Sequence, residues 1–196
     1  MLDEKYRPAF QRIIADPLTR VCLNREITAN QVTLLSCISG VAVIPAYVFA
    51  GAWLATLLLL LSGLLDVLDG SIARQSQTDS PLGSLCDILS DRIVESATII
   101  ALYVSIEGSG FYCLLMMASI LLCVTSFLLA AIYTAPEGEK SFYYSPGLME
   151  RAEAFAFFIV MMWLPDYFAV LSIIFTLLVS YTAWVRVGEI RQNLSE

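Results

Sequence analysis

Histidine is absent from this 196-residue chain. Its absence removes imidazole general bases, Ser-His triads and His-ligated metals together. Charge is scarce as well: 15% of residues are Asp, Glu, Lys or Arg, 58% are hydrophobic, and mean hydropathy is +0.75. Soluble globular proteins do not have that composition, and nothing is left over for a separate soluble catalytic domain. There is no basic excess, because 11 Lys and Arg stand against 18 Asp and Glu, which argues against nucleic acid as a partner. The five cysteines (Cys22, Cys37, Cys86, Cys113, Cys123) form no Cys-x-x-Cys pair and read as small hydrophobes within or near membrane spans. The first 26 residues hold nine charges and no apolar run of signal-peptide length, so no cleaved leader is expected.

What the chain has in quantity is apolar sequence. From Ile27 to Leu65 no residue is charged, a run of 39 broken at Gly51, too long for one bilayer crossing of roughly 20 residues. Two helices joined by a tight turn are expected there, about 31–50 and 52 onward. Further spans are expected at about 84–106, 111–134, 148–165 and 167–187. Ahead of them Leu2, Tyr6, Phe10, Ile13, Ile14 and Leu18 recur at helical spacing beside Lys5, Arg7 and Arg12, with Pro17 as a breaker. That pattern describes an amphipathic helix on an anionic membrane surface. The expected architecture is all-α, with a juxtamembrane helix in residues 1–26 and a six-span domain in 27–196. In that topology all eleven basic residues fall on one side, which the positive-inside rule makes cytoplasmic, with both termini.

Four aspartates crowd the second connection: Asp66, Asp69, Asp87 and Asp91. An ionised residue at the centre of a span costs at least about 2.5–3.5 kcal/mol, so four of them demand a reason. Spacings of three and four place each pair on one helix face. A reversal between them brings both pairs to the cytoplasmic rim, where four carboxylates cannot all stay ionised without a cation. Carboxylate oxygens select hard divalent ions such as Mg²⁺ or Mn²⁺, and four can hold two ions about 3.5–4 Å apart, the arrangement that clamps a transferring phosphoryl group. Arg74 offers a planar guanidinium for phosphate oxygens. Gly70, Ala73 and Gly83 clear room beside it for a flat group, although small residues also serve simply to pack helices.

The segment Asp66-x2-Asp69-Gly70-x2-Ala73-Arg74-x8-Gly83-x3-Asp87-x3-Asp91 resembles, without gap or mismatch, the signature of the CDP-alcohol phosphotransferase family. Ile27-Thr28-Ala29-Asn30-Gln31-Val32-Thr33 resembles the family's entry to its first span, with Ala29 where members often carry proline. The resemblance implies six spans behind a surface helix and transfer of a substituted phosphoryl group from a CDP-linked lipid or alcohol to a hydroxyl, releasing CMP. It implies Asp66, Asp69, Asp87 and Asp91 at the metals and Asp91 as the base that takes the acceptor's proton. It places Asp69, Gly70, Ala73, Arg74 and Gly83 at the nucleotide and diphosphate, and it implies a homodimer.

Short members of the family usually take CDP-diacylglycerol as donor, which makes it the expected substrate here, with a CDP-choline or CDP-ethanolamine type of transfer to a lipid alcohol as the alternative. For the acceptor, Arg92, Glu150 and Arg151 stand out near the cytoplasmic span ends, with Glu95, Tyr143, Tyr144 and Glu153 beside them. Gly147 to Glu153 resembles the Glu/Arg segment of inositol-phosphate-using members. This chain has Ala154 where those members carry a second arginine, and Ala130-Ala131-Ile132 where they are basic. An acceptor with its own phosphate wants that positive charge, so its absence weakens inositol phosphate and glycerol phosphate without excluding either, and the mixed Glu/Arg lining suits a zwitterion such as serine or a polyol such as inositol. Glu150, Arg151 and Glu153 could instead pair with one another at a helix start, and Glu95 could serve as partner of Arg92. A cation transporter is the rival from another class. Against it, the aspartates gather at one rim and the Asp segment has no inverted repeat.

Overall fold

The computed structural model describes residues 11–78, 80–133 and 149–193, and every regular element among them is helical. A short π-helical turn, Gln11–Ala15, leads into α1, Asp16–Asn24. Pro17 opens α1 and does not break it, because a proline in a first turn lacks only an N–H that would have no helical partner. Ile13, Ile14, Leu18 and Val21 are exposed beside Arg12 and Arg20, while Ala15 and Thr19 are buried. Leu2, Lys5, Tyr6, Arg7 and Phe10 lie outside the described residues.

Helix α2, Ala29–Val41, starts at a capping box. Gln31 N–H donates to Thr28 Oγ1 at 3.4 Å and Thr28 N–H donates to Gln31 Oε1 at 3.0 Å, which satisfies two otherwise orphaned donors. The run continues as α3, Val43–Ala50, after a break at Ala42. Pro45 accounts for the break: it has no N–H for the Val41 carbonyl and its ring crowds that turn. Gly51, at φ +85°, makes the reversal into α4, Ala52–Ser76. Helix α5, Pro81–Ser105, is capped by Ser80, whose Oγ accepts from Gly83 N–H at 3.0 Å. Then follow α6, Gly110–Tyr133; α7, Arg151–Trp163; and, after a 3₁₀ turn, α8, Phe168–Asn193.

Four of these helical segments are long and apolar enough to cross a bilayer: Ala29–Ala50, Ala52–Ser76, Gly110–Ile132 and Pro165–Arg191. The chain is all-helical and consistent with an integral membrane protein. The other two expected spans are also helices but differ in kind. Helix α5 carries Asp87, Asp91, Arg92 and Glu95 between its second and its fifth turn, and α7 has 13 residues, about 20 Å at 1.5 Å per residue against a hydrocarbon core of about 30 Å.

The packing is inside-out relative to a soluble bundle. Phe49, Trp53, Leu114 and Trp184 are 70–86% exposed, whereas Ser36, Ser62, Thr98 and Ser172 are fully buried.

 Individually the four stand at 86%, 70%, 71% and 76%. Apolar side chains turned outward are at home in lipid, and small hydroxyl residues turned inward let helices approach and hydrogen-bond. Ser36 Oγ donates to the Ser62 carbonyl at 2.8 Å, and Ser39 Oγ to the Leu58 carbonyl at 2.8 Å, tying α2 to α4. Against α5 the approach is closer still: a Cβ on Gly40 would stand 2.3 Å from Val94 Cγ2. The main core gathers Val43, Leu59, Val94, Leu102, Met116, Phe158 and Phe175, and a smaller cluster of Ala15, Val32, Leu68 and Ile72 fastens the N-terminal segment to α4. These contacts hold the C-terminal end of α4 beside the N-terminal end of α5.

Candidate active site

The four aspartates leave α4 and α5 at that shared end. One oxygen from each of Asp66, Asp69 and Asp87 lies within 4.8 Å of the others. Asp69 is 4% exposed, and Asp69 Oδ2 and Asp87 Oδ1 are enclosed with no hydrogen-bond partner among the described residues. Two unit charges about 5 Å apart repel by about 3 kcal/mol at an effective dielectric near 20. Enclosed, unpaired carboxylate oxygens from two helices fit a hard divalent cation, which takes oxygen ligands and offsets that repulsion. Asp91 stands differently. Arg151, from the first turn of α7, forms ion pairs with both Asp66 Oδ1 and Asp91 Oδ1, so a guanidinium links Asp91 to the other three.

Arg92 extends the cluster along α5. Its Nη1 forms an ion pair with Glu95 Oε2 at 2.8 Å, and its Nη2 stands 3.8 Å from Asp91 Oδ2. Glu95 is thus the partner of Arg92. Arg151 reaches across to α4 and α5 and also lies over the Phe155 ring at 5.2 Å. Glu150 is the residue before α7 and is half-buried, with no side-chain capping bond. Tyr143 and Tyr144 lie outside the described residues.

The other signature residues follow α4 outward. Gly70 and Ala73 are half-buried and Arg74 is exposed. The Arg74 guanidinium folds back along its own helix, with Nη2 donating to Ser71 Oγ at 3.3 Å and Nη1 3.3 Å from where a Gly70 Cβ would stand. A Cβ on Gly83 would lie 3.1 Å from Ser80 Oγ and 3.8 Å from Asn30 Oδ1, so smallness there also protects the cap of α5.

One half-buried cation was not anticipated from the sequence. Arg186 of α8 donates from Nη1 toward the Cys123 carbonyl at 3.5 Å and toward its Sγ at 3.4 Å, and it lies 5.5 Å over the Phe127 ring. Arg186 reads in sequence as the marker of a span end; the usable signal is that a half-buried arginine next to an apolar run needs a partner inside the bundle. The five cysteines are free.

Residues 26–186 match the profile described as CDP-alcohol phosphatidyltransferase. The chain belongs to that family. Among its relatives, the archaetidylinositol phosphate synthase of Aeropyrum pernix is 40% identical over 76 residues, 39% of this chain and 39% of that protein. The match therefore spans about two fifths of that relative's length. Inner membrane protein YnjF of Escherichia coli is 30% identical over 198 residues, covering 95% of this chain and 94% of its own. Among solved structures, the Mycobacterium tuberculosis phosphatidylinositol phosphate synthase with CDP-DAG bound superposes with a TM-score of 0.74 at 18% identity, over 90% of this chain and 93% of that one. At that identity the likeness is one of fold. A CDP-alcohol phosphatidyltransferase fold thus carries the carboxylate cluster at the meeting of α4 and α5.

Proposed function

We propose that this protein is a phospholipid synthase that transfers the phosphatidyl group of CDP-diacylglycerol to the hydroxyl of a small polar acceptor, with release of CMP. The observation that carries the reading is the convergence of Asp66, Asp69 and Asp87 within 4.8 Å, on two helices of a chain that belongs to this family. In this reading Asp66, Asp69 and Asp87, with Asp91 beside them, hold Mg²⁺ or Mn²⁺, as one ion or a pair. Such an ion, when bound, supplies Lewis-acid neutralisation of charge on the phosphoryl oxygens.

The chain's own groups do the rest. Arg74 binds the diphosphate, as a fork of donors suited to phosphate oxygens, and Gly70, Ala73 and Gly83 leave room for the cytidine. Asp91 takes the proton of the acceptor hydroxyl, whose oxygen bonds to the phosphorus next to the diacylglycerol as the bond from that phosphorus to CMP breaks. Arg92 on one side and Arg151 on the other keep Asp91 oriented. Arg92, Glu150 and Arg151, with Arg186 behind them, face the acceptor. Three arginines suit an acceptor that carries its own phosphate, and the names of the Aeropyrum and Mycobacterium proteins put inositol phosphate first among serine, inositol, inositol phosphate and glycerol phosphate.

The reading includes the membrane arrangement. All six long helical segments cross the bilayer, α5 and α7 with their charged first turns at the cytoplasmic rim, and α1 lies on that surface. Both termini are cytoplasmic, and the protein is a homodimer. The test is CMP release from CDP-diacylglycerol by the detergent-purified protein, with the four acceptors supplied separately. Release that requires Mg²⁺ or Mn²⁺ and one acceptor is expected; no release with any acceptor, from protein that still binds CDP, would refute the choice of donor or acceptor.

A further inference from the structure

Ser71 carries a hydroxyl with no hydrogen-bonding capacity to spare. Its Oγ donates to the Val67 carbonyl at 2.8 Å, accepts from Gln11 Nε2 at 2.8 Å and accepts from Arg74 Nη2 at 3.3 Å. A serine hydroxyl has one proton and two lone pairs, so all three are in use. The side chain that reaches it from outside α4 belongs to a residue 60 positions earlier. Gln11 Nε2 also donates to Asp16 Oδ1 at 2.9 Å. With an acceptor at each of its two amide protons, the Gln11 nitrogen is oriented toward Ser71 and not away from it. Ser71 is 1% exposed, so water does not compete for these bonds.

Arg74, by contrast, is exposed. An arginine free in solvent gives up rotamer entropy when it binds a ligand, and one already held gives up less. Ser71 accepts only when its lone pairs face outward from α4, and Gln11 occupies one of them while its own second proton is fixed by Asp16.

We propose that Gln11 is a positioning residue: through Ser71 it holds the Arg74 guanidinium back over Gly70 in the posture that receives the donor's diphosphate. The docking of the N-terminal segment against α4 then sets the affinity for the nucleotide donor. This rests on the reading of Arg74 as the diphosphate ligand, and the experiment separates the two.

Binding of CDP and of CMP to the full-length protein in detergent, with Mg²⁺ present, is measured for the wild type, Gln11→Met, Ser71→Ala, Arg74→Ala and the double variants with Arg74→Ala. Gln11→Met keeps the side chain's size and removes both donors. Gln11→Met and Ser71→Ala are each expected to weaken CDP binding about three- to tenfold, the effect of one ordinary hydrogen bond, and CMP binding less. Neither should weaken it further once Arg74 is alanine. Unchanged CDP affinity in Gln11→Met, equal losses for CDP and CMP, or losses that add to that of Arg74→Ala would each overturn the proposal while leaving the functional reading in place. Wild-type protein that binds no CDP overturns both.

Discussion

Helix α4 carries two sets of buried polar side chains that are treated in opposite ways. Toward its middle, Ser36 Oγ donates to the Ser62 carbonyl and lies 3.2 Å from the Ser62 hydroxyl, and Ser39 Oγ donates to the Leu58 carbonyl, both donor bonds at 2.8 Å. Two to three turns further on, Asp69 Oδ2 and, across on α5, Asp87 Oδ1 are equally enclosed and have no hydrogen-bond partner among the described residues. Buried polar groups are satisfied as a rule, so a cluster of exceptions needs a reason. The serines join helices. Under the proposed function, the aspartates hold a divalent cation.

Four substitutions sharpen or break that contrast. Asp69→Asn should have the largest effect, because it removes charge from the enclosed cluster: CMP release falls about a thousandfold or more and CDP binding falls with it. A variant that binds and turns over normally would place the cation elsewhere. Asp91→Asn should cost about a hundredfold to ten-thousandfold in turnover, the range for a general base, with CDP affinity within about twofold of wild type. Near-normal turnover would remove Asp91 from the role of base. Arg151→Ala should raise the acceptor's KM about tenfold and the donor's less, as expected for a lost charged hydrogen bond. If instead the donor's KM rises and the acceptor's does not, the Arg151 pairs with Asp66 and Asp91 serve the carboxylates alone. Ser62→Ala is the small end of the scale: about 0.6 kcal/mol of stability, typical of a hydrogen bond between membrane helices, read as a slight drop in melting temperature in detergent with CMP release unchanged. A loss of turnover there would mean that the middle of α4 is coupled to its charged end.

A second lesson concerns where each part of the cluster comes from. Asp66 and Asp69 share one helix and Asp87 and Asp91 the next, so spacings of three and four already put each pair on a face, and a short reversal brings the faces together. The start of α2 was equally open to reading, since Thr28 and Gln31 stand at capping-box spacing. Helix limits were less so. The break at Ala42 is a consequence of Pro45, and α7 is shorter than its apolar stretch, because Pro165 and the 3₁₀ turn that it opens end the helix at Trp163. The acceptor side was legible only in part. Arg92 and Glu95 pair at i and i+3, a local rule, but nothing local in the chain announces that Arg151 meets Asp66 and Asp91.

The sequence by itself determined the class of protein, the apolar helices and the four aspartates, because hydropathy, helical period and a gapless spacing are local properties of the chain. Only the tertiary structure decided that Arg151 sits between Asp66 and Asp91, that Arg186 reaches Cys123 across 63 positions, and that Gln11 reaches Ser71 across 60. Contacts at such separations obey no period. They exist because packed helices bring together side chains whose alternative, in a medium without water, is to have no partner at all.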